Sequence, residues 1–158
     1  MSASLPRQGL LVDDVHCFPV RVYYEDTDAA GIVYYANYLK FIERARTEMI
    51  RLCGVEHRAA QETQGFGFIV RRAAIEYEAP ARLDDELVVE TRVQEIGGAT
   101  ILLVQDVKRD DARLVRATVL IACVDRAGRP TRLPPELRAA LPPRNDNNTP
   151  RMVNAHAR

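Results

Sequence analysis

From Glu25 to Tyr38 the chain reads EDTDAAGIVYYANY, the densest group of side chains able to do chemistry. Three carboxylates, Glu25, Asp26 and Asp28, precede Gly31 and an apolar, tyrosine-bearing run. A single carboxylate serves as nucleophile or general base when a reactive carbonyl is held beside it. The carbonyl oxygen then needs hydrogen-bond donors, and the unbonded N–H groups in the first turn of a helix supply them. Gly31 to Tyr35 feeds into a helical pattern, so the loop can deliver a carboxylate and the helix start an oxyanion site. A thioester suits such a site, being activated relative to an amide. The helix dipole also favours acids at this place with no catalysis at all. Spacing alone leaves both readings open.

Other chemistries fail on the residues. A calcium loop starting at Asp26 would put Ala30 at its fifth position and Asn37 at its twelfth, so two ligands are missing. A D-x-D-x-[TV] phosphatase loop also fails at Ala30, and no G-x-S-x-G elbow occurs. His16, His57 and His156 are scattered, which gives no triad or metal pair; His57 is expected on the surface of a loop. Cys17, Cys53 and Cys123 are odd in number, lack a CxxC and sit among apolar neighbours, as small buried thiols of a reducing compartment do. No metal and no cofactor is expected.

The elements that must position the loop are legible in the hydrophobic periods. Cys17 to Tyr24 alternates, as a strand does. Tyr38, Ile42, Ala45, Met49 and Leu52 form one stripe of a long helix, with Lys40, Glu43, Arg44, Glu48 and Arg51 opposite. Asn37 is the expected N-cap and Gly54 the expected left-handed terminator. A polar linker of some helical character, Val55 to Gln64, leads to four strand patterns: Phe66–Tyr77, Glu86–Ile96, Thr100–Lys108 and Leu114–Val124. Gly97-Gly98 and Asp110-Asp111 read as hairpin turns, so these strands pair antiparallel. Pro134 to Leu141 suits a short helix with proline at its start. Helix and sheet are segregated, which makes the class α+β.

The 158 residues suit one domain, expected at 16–141, between a loose arm at 1–15 and a disordered polar tail at 142–158. Lys plus Arg and Asp plus Glu each number 22. That balance lacks the positive excess of a nucleic-acid binder. No uncharged run approaches the roughly 18 residues of a transmembrane helix. Asp13 and Asp14 fall where a secretion signal would be apolar, so a cytoplasmic protein is expected.

The segment RVYYEDTDAAGIVYYANYLKFIERARTEMIR (Arg21 to Arg51) closely resembles the active-site region of the 4-hydroxybenzoyl-CoA thioesterase family. Within that family it is most similar to the acyl-CoA thioesterases encoded with the bacterial Tol-Pal cell-envelope system. IVRRAAIEYEAPARLDD (Ile69 to Asp85) resembles a second region of the same group, and the similarity spans roughly Pro19 to Asp125. The resemblance implies a hotdog fold, its antiparallel sheet wrapped around one long helix. It implies dimers joined edge to edge, often paired into tetramers, with active sites at the subunit interface. It places the catalytic aspartate on Asp28, leaving Asp26 to structure the loop. It also places the backbone N–H that polarises the thioester carbonyl on Tyr35. Tol-Pal relatives often carry His there, so Tyr35 departs from their pattern and matches the hydroxybenzoyl-type enzyme.

The implied function is hydrolysis of an acyl-CoA to free acid and coenzyme A, with coenzyme A part of the substrate. Arg71 and Arg72 are candidates for coenzyme A phosphates, set against the ordinary exposure of strand arginines; Arg82 is similar. Tyr23, Tyr24, Tyr34, Tyr35 and Tyr38 are candidates for an aromatic acyl pocket, set against core and interface packing. Two other functions stay open. One is a module holding acyl carrier protein or envelope-biogenesis partners at the inner-membrane face. The other is a hotdog dehydratase or hydratase, which would need a His near the loop, and none lies there.

Overall fold

The computed structural model describes residues 5–142. The expected tail beyond 142, like residues 1–4, therefore lies outside the described residues. Six strands form one antiparallel sheet: β1 (Leu10–Val12), β2 (Val15–Arg21), β3 (Phe66–Tyr77), β4 (Glu86–Ile96), β5 (Thr100–Arg109) and β6 (Ala112–Asp125). Their spatial order is β1-β2-β4-β5-β6-β3, which leaves the twelve-residue β3 at one edge. The long helix α1 (Asn37–Leu52) packs on the inner face against β2, β4 and β5. This is the α+β hotdog arrangement. A helical turn, α2 (His57–Ala59), and a π-helical turn at Ala60–Gln64 lead into β3, and α3 (Pro135–Ala140) closes the described chain.

Strands β4, β5 and β6 follow the expected ranges closely because one face is apolar and buried. Val89, Val93, Leu103, Val107, Ala117, Val119 and Ile121 meet α1 side chains in a single core. Gln105 is fully buried beneath the helix and donates its Nε2 to the Ile42 carbonyl (2.8 Å) and to Thr91 Oγ1 (3.0 Å), tying helix to sheet.

Four local expectations are corrected. The arm is not loose over Leu10–Val12, which pairs with Val15–Cys17 across a two-residue turn. Both turn residues, Asp13 (φ 49°) and Asp14 (φ 64°), adopt the left-handed conformation that such a hairpin requires and that aspartate tolerates. The first long strand ends at Arg21, because Tyr24–Asp26 coils into a 3₁₀ turn. Asn37 is the first helical residue and caps nothing; its side chain is used elsewhere, as described below. Leu52 is 41% exposed, because the chain reverses at Gly54 (φ 97°) and turns Cys53 and Val55 inward; Phe41 and Ile50 complete the buried stripe.

Candidate active site

The loop between β2 and α1 is built by its own main chain. After the Tyr24–Asp26 turn, Thr27 and Val33 form a β-bridge around a tight reversal. The Asp28 N–H donates to the Ile32 carbonyl (2.9 Å), and the Gly31 N–H to the Asp28 carbonyl (3.0 Å). Gly31 turns at φ 77°, a left-handed conformation that a side chain resists. The base of the loop is clamped to the segment before β4: the Val33 N–H donates to Ala81 O (2.9 Å), and Ile32 bridges Arg82. That segment is itself held by Asp85, whose carboxylate accepts the Arg82 N–H (2.8 Å) and pairs with Arg109 (2.7 Å).

Asp26 and Asp28 divide the work. Asp26 is buried; its Oδ2 accepts the Tyr23 N–H (2.9 Å), and its carbonyl accepts the Tyr34 N–H and the Asn37 side-chain amide (2.9 Å each). Asp28 is exposed, and only its Oδ1 is engaged, by the Ala30 N–H at 2.9 Å. Among the described residues its Oδ2 has no partner. The loop thus spends one acid on its own structure and presents the other.

Next comes the start of α1. The Tyr34 carbonyl takes the Asn37 N–H (2.8 Å), while among the described residues the N–H groups of Tyr35 and Ala36 have no acceptor. Two consecutive amides therefore stand free just ahead of the helix, where its dipole adds positive potential. A carboxylate and a pair of free amides flanking one helix entrance are the parts needed to attack a carbonyl and to hold its oxygen.

The remaining candidates are dispersed. Tyr23, Tyr24, Tyr34 and Tyr35 are exposed, whereas Tyr38 is core, its hydroxyl accepting the Ala81 N–H at 2.9 Å. Burial raises the Tyr38 phenol above its usual pKa, which suits a structural group. Arg71 is the extra residue of a β-bulge and, like Arg72, is exposed. Among the described residues neither forms a hydrogen bond or ion pair with the Asp28 loop. His57 is half-buried rather than on the surface, its Nε2 within 3.1 Å of the Thr47 carbonyl. A cavity of about 410 Å³ lies between α1 and β3, lined by Arg46, Thr47, Phe68 and Val70 among others, not by Asp28. Sequence reading missed Tyr77, whose hydroxyl donates to the Tyr35 carbonyl at 3.1 Å. The two lie 42 residues apart, and no local pattern signals the contact.

Residues 22–141 match the model of a family described as the thioesterase-like superfamily. The acyl-CoA thioesterase YbgC of Haemophilus influenzae is 49% identical over 132 residues, covering 83% of this chain and 97% of that protein. The acyl-CoA thioester hydrolase YbgC of Escherichia coli O6:H1 is 46% identical, covering 68% of this chain and 81% of that protein. Among solved structures, "Probable Thioesterase from Bartonella henselae" superposes with a TM-score of 0.72 at 38% identity, covering 76% of this chain and 99% of that one.

Proposed function

The chain belongs to the thioesterase-like superfamily, and from that membership we propose how its residues act as an acyl-CoA thioesterase. The enzyme hydrolyses a thioester, releasing a free acid and coenzyme A. Asp28 is the catalytic carboxylate. It either attacks the thioester carbonyl, giving an anhydride that water then opens, or takes a proton from the attacking water. The Tyr35 N–H receives the carbonyl oxygen as negative charge builds on it. Losing an oxyanion donor of this kind typically costs roughly 10²–10³ in rate. The observation that carries the reading is the pairing of a presented, backbone-anchored Asp28 with unbonded amides at the start of α1.

Asp28 is exposed on one protomer, so the site calls for a cover. A second copy joined along β3 supplies it. Nearly the whole of β3 from Ile69 to Tyr77 is exposed, and Ile69, Val70 and Tyr77 are each 47% exposed. A long open edge of this kind is normally paired. Further pairing into a tetramer follows the same family pattern. Arg71 and Arg72, at the bulge of that edge, bind coenzyme A phosphates. No described helix is long and apolar enough to cross a membrane. The likeness of Arg21–Arg51 to the Tol-Pal group supports a cytoplasmic role beside that envelope system, at the inner-membrane face, with acyl carrier protein as a second thioester donor.

The test is turnover of Asp28→Asn on butyryl-, octanoyl-, palmitoyl- and benzoyl-CoA, beside the unaltered enzyme. The variant is expected to lose roughly 10²–10⁴-fold in kcat while still binding ligand. Full turnover by Asp28→Asn removes the mechanism.

A further inference from the structure

The peptide units at the entrance to α1 are held by unlike partners. Within one planar peptide unit the C=O and N–H point in opposite directions, so a bond to one fixes the other. The Tyr34 carbonyl is held by the Asn37 N–H, which aims the Tyr35 N–H outward. The Tyr35 carbonyl has no such main-chain partner. The Leu39 N–H, its ordinary helical donor, goes instead to the Ala36 carbonyl at 3.2 Å. Among the described residues the Tyr77 hydroxyl takes that place. The Tyr35 carbonyl shares its peptide unit with the Ala36 N–H, the second free amide.

We propose that Tyr77 is a positioning residue of the thioesterase: by holding the Tyr35 carbonyl it aims the Ala36 N–H, making it a second donor to the thioester oxygen beside the Tyr35 N–H. This rests on the reading of Asp28 and the α1 entrance given above. Tyr77 is built for the task. Its ring packs edge-on against Tyr35 (centroids 6.1 Å apart) and Tyr38 (5.8 Å), and Tyr38 is fixed by the Ala81 N–H. Its main chain is registered opposite Val115 of β6. Partial burial, with Tyr35 nearby, raises the phenol above its usual pKa, so it stays a donor at neutral pH. Tyr77 ends the edge strand β3, whereas Tyr35 lies two residues ahead of α1. One hydrogen bond therefore couples the sheet edge to the amide pair.

The experiment uses the full chain with butyryl-CoA and benzoyl-CoA. Tyr77→Phe keeps the ring and removes only the hydroxyl. Its kcat is expected to fall about tenfold, less than the loss of a whole oxyanion donor. KM should stay within about twofold, because the interaction acts in the transition state. The melting temperature should stay unchanged. A second readout uses the Asp28→Asn background, in which bound benzoyl-CoA persists. There Tyr77→Phe should move the thioester carbonyl stretch, read by difference infrared spectroscopy, toward its value in free benzoyl-CoA. An unchanged kcat in Tyr77→Phe overturns the role. So does a joint fall of kcat, affinity and melting temperature with the carbonyl band unmoved. If Asp28→Asn itself retains full turnover, the reading of the site falls, and this role falls with it. If Asp28→Asn is inactive and Tyr77→Phe is not impaired, only the role of Tyr77 falls.

Discussion

The Asn37 side-chain amide donates to the main-chain carbonyl of Asp26 at 2.9 Å, spanning the Asp28 loop from the first residue of α1 to its far side. Asp28 and Tyr35 both lie between these two residues, so the bond sets how far apart they can drift. Asn37→Ala removes a buried donor and should cost about 1–2 kcal/mol of stability. Turnover should fall more steeply than stability does, because the carboxylate is no longer held in register with the free amides. Thermal melts and acyl-CoA kinetics on the same preparation check this. Wild-type kcat in a measurably destabilised Asn37→Ala would show that the tether serves the fold alone.

Gly31 separates a geometric cost from a steric one. A Cβ built there meets no atom within 4 Å, so only the left-handed φ of 77° opposes a side chain. Gly31→Ala should therefore destabilise by about 1–2 kcal/mol. Gly31→Asn should recover part of that loss, since asparagine enters this region more readily than alanine. Urea unfolding of the pair gives the comparison, and equal losses in both would contradict a purely conformational origin.

How much of this was legible depended on whether local sequence determined the feature. Strand Glu86–Ile96 alternates because one face is core, and its bounds are readable from that period, whereas Phe66–Tyr77 turns only Phe66, Phe68 and Ile75 partly toward the core and is legible from its run of β-forming residues between turns. A buried stripe likewise marks α1, apart from Leu52, where the turn at Gly54 overrode it. The β1 hairpin was not legible: three residues carry little pattern, and Asp13-Asp14 acts as a turn through paired left-handed dihedrals. Asp28 stood out because its motif is local. Tyr77 did not, because its hydroxyl finds Tyr35 only once β3 has crossed to the sheet edge. Asn37 looked like a cap by type and position, yet Ala36 is already helical in its dihedrals and the asparagine reaches back to Asp26.

His16 makes stability depend on pH. It is fully buried on β2, and its Nε2 lies within 2.9 Å of the Gln8 carbonyl. Burial lowers its pKa; the bond to Gln8 and the charge of Glu48 on α1 oppose this only in part. The folded protein therefore holds His16 neutral, whereas the unfolded chain takes up a proton below about pH 6.5. The contribution is complete above that value and declines as pH falls from it toward the lower folded pKa. Urea unfolding between pH 8 and 5 should show this decline, and His16→Leu should flatten it while lowering stability at pH 8. An unaltered slope in His16→Leu would assign the effect to other groups.

The open edge of β3 allows the proposed dimer and the proposed catalytic site to be tested together. Val70 is 47% exposed on the protomer and lies opposite Ile121 of β6, so an aspartate there costs the isolated fold little. In a dimer joined along β3, the same carboxylate would be buried in the seam between the two edges. A carboxylate taken out of water in that seam opposes association. The unaltered protein is expected to sediment as a dimer, and Val70→Asp as a monomer at the same concentration. If the partner supplies the cover over Asp28, turnover per chain should fall in the monomer. It should return as protein concentration is raised, because mass action restores the pair. Direct damage to the site would instead give a loss independent of concentration. Wild-type turnover by a Val70→Asp monomer would mean that each protomer carries a complete site, and the proposed edge-to-edge cover would be abandoned.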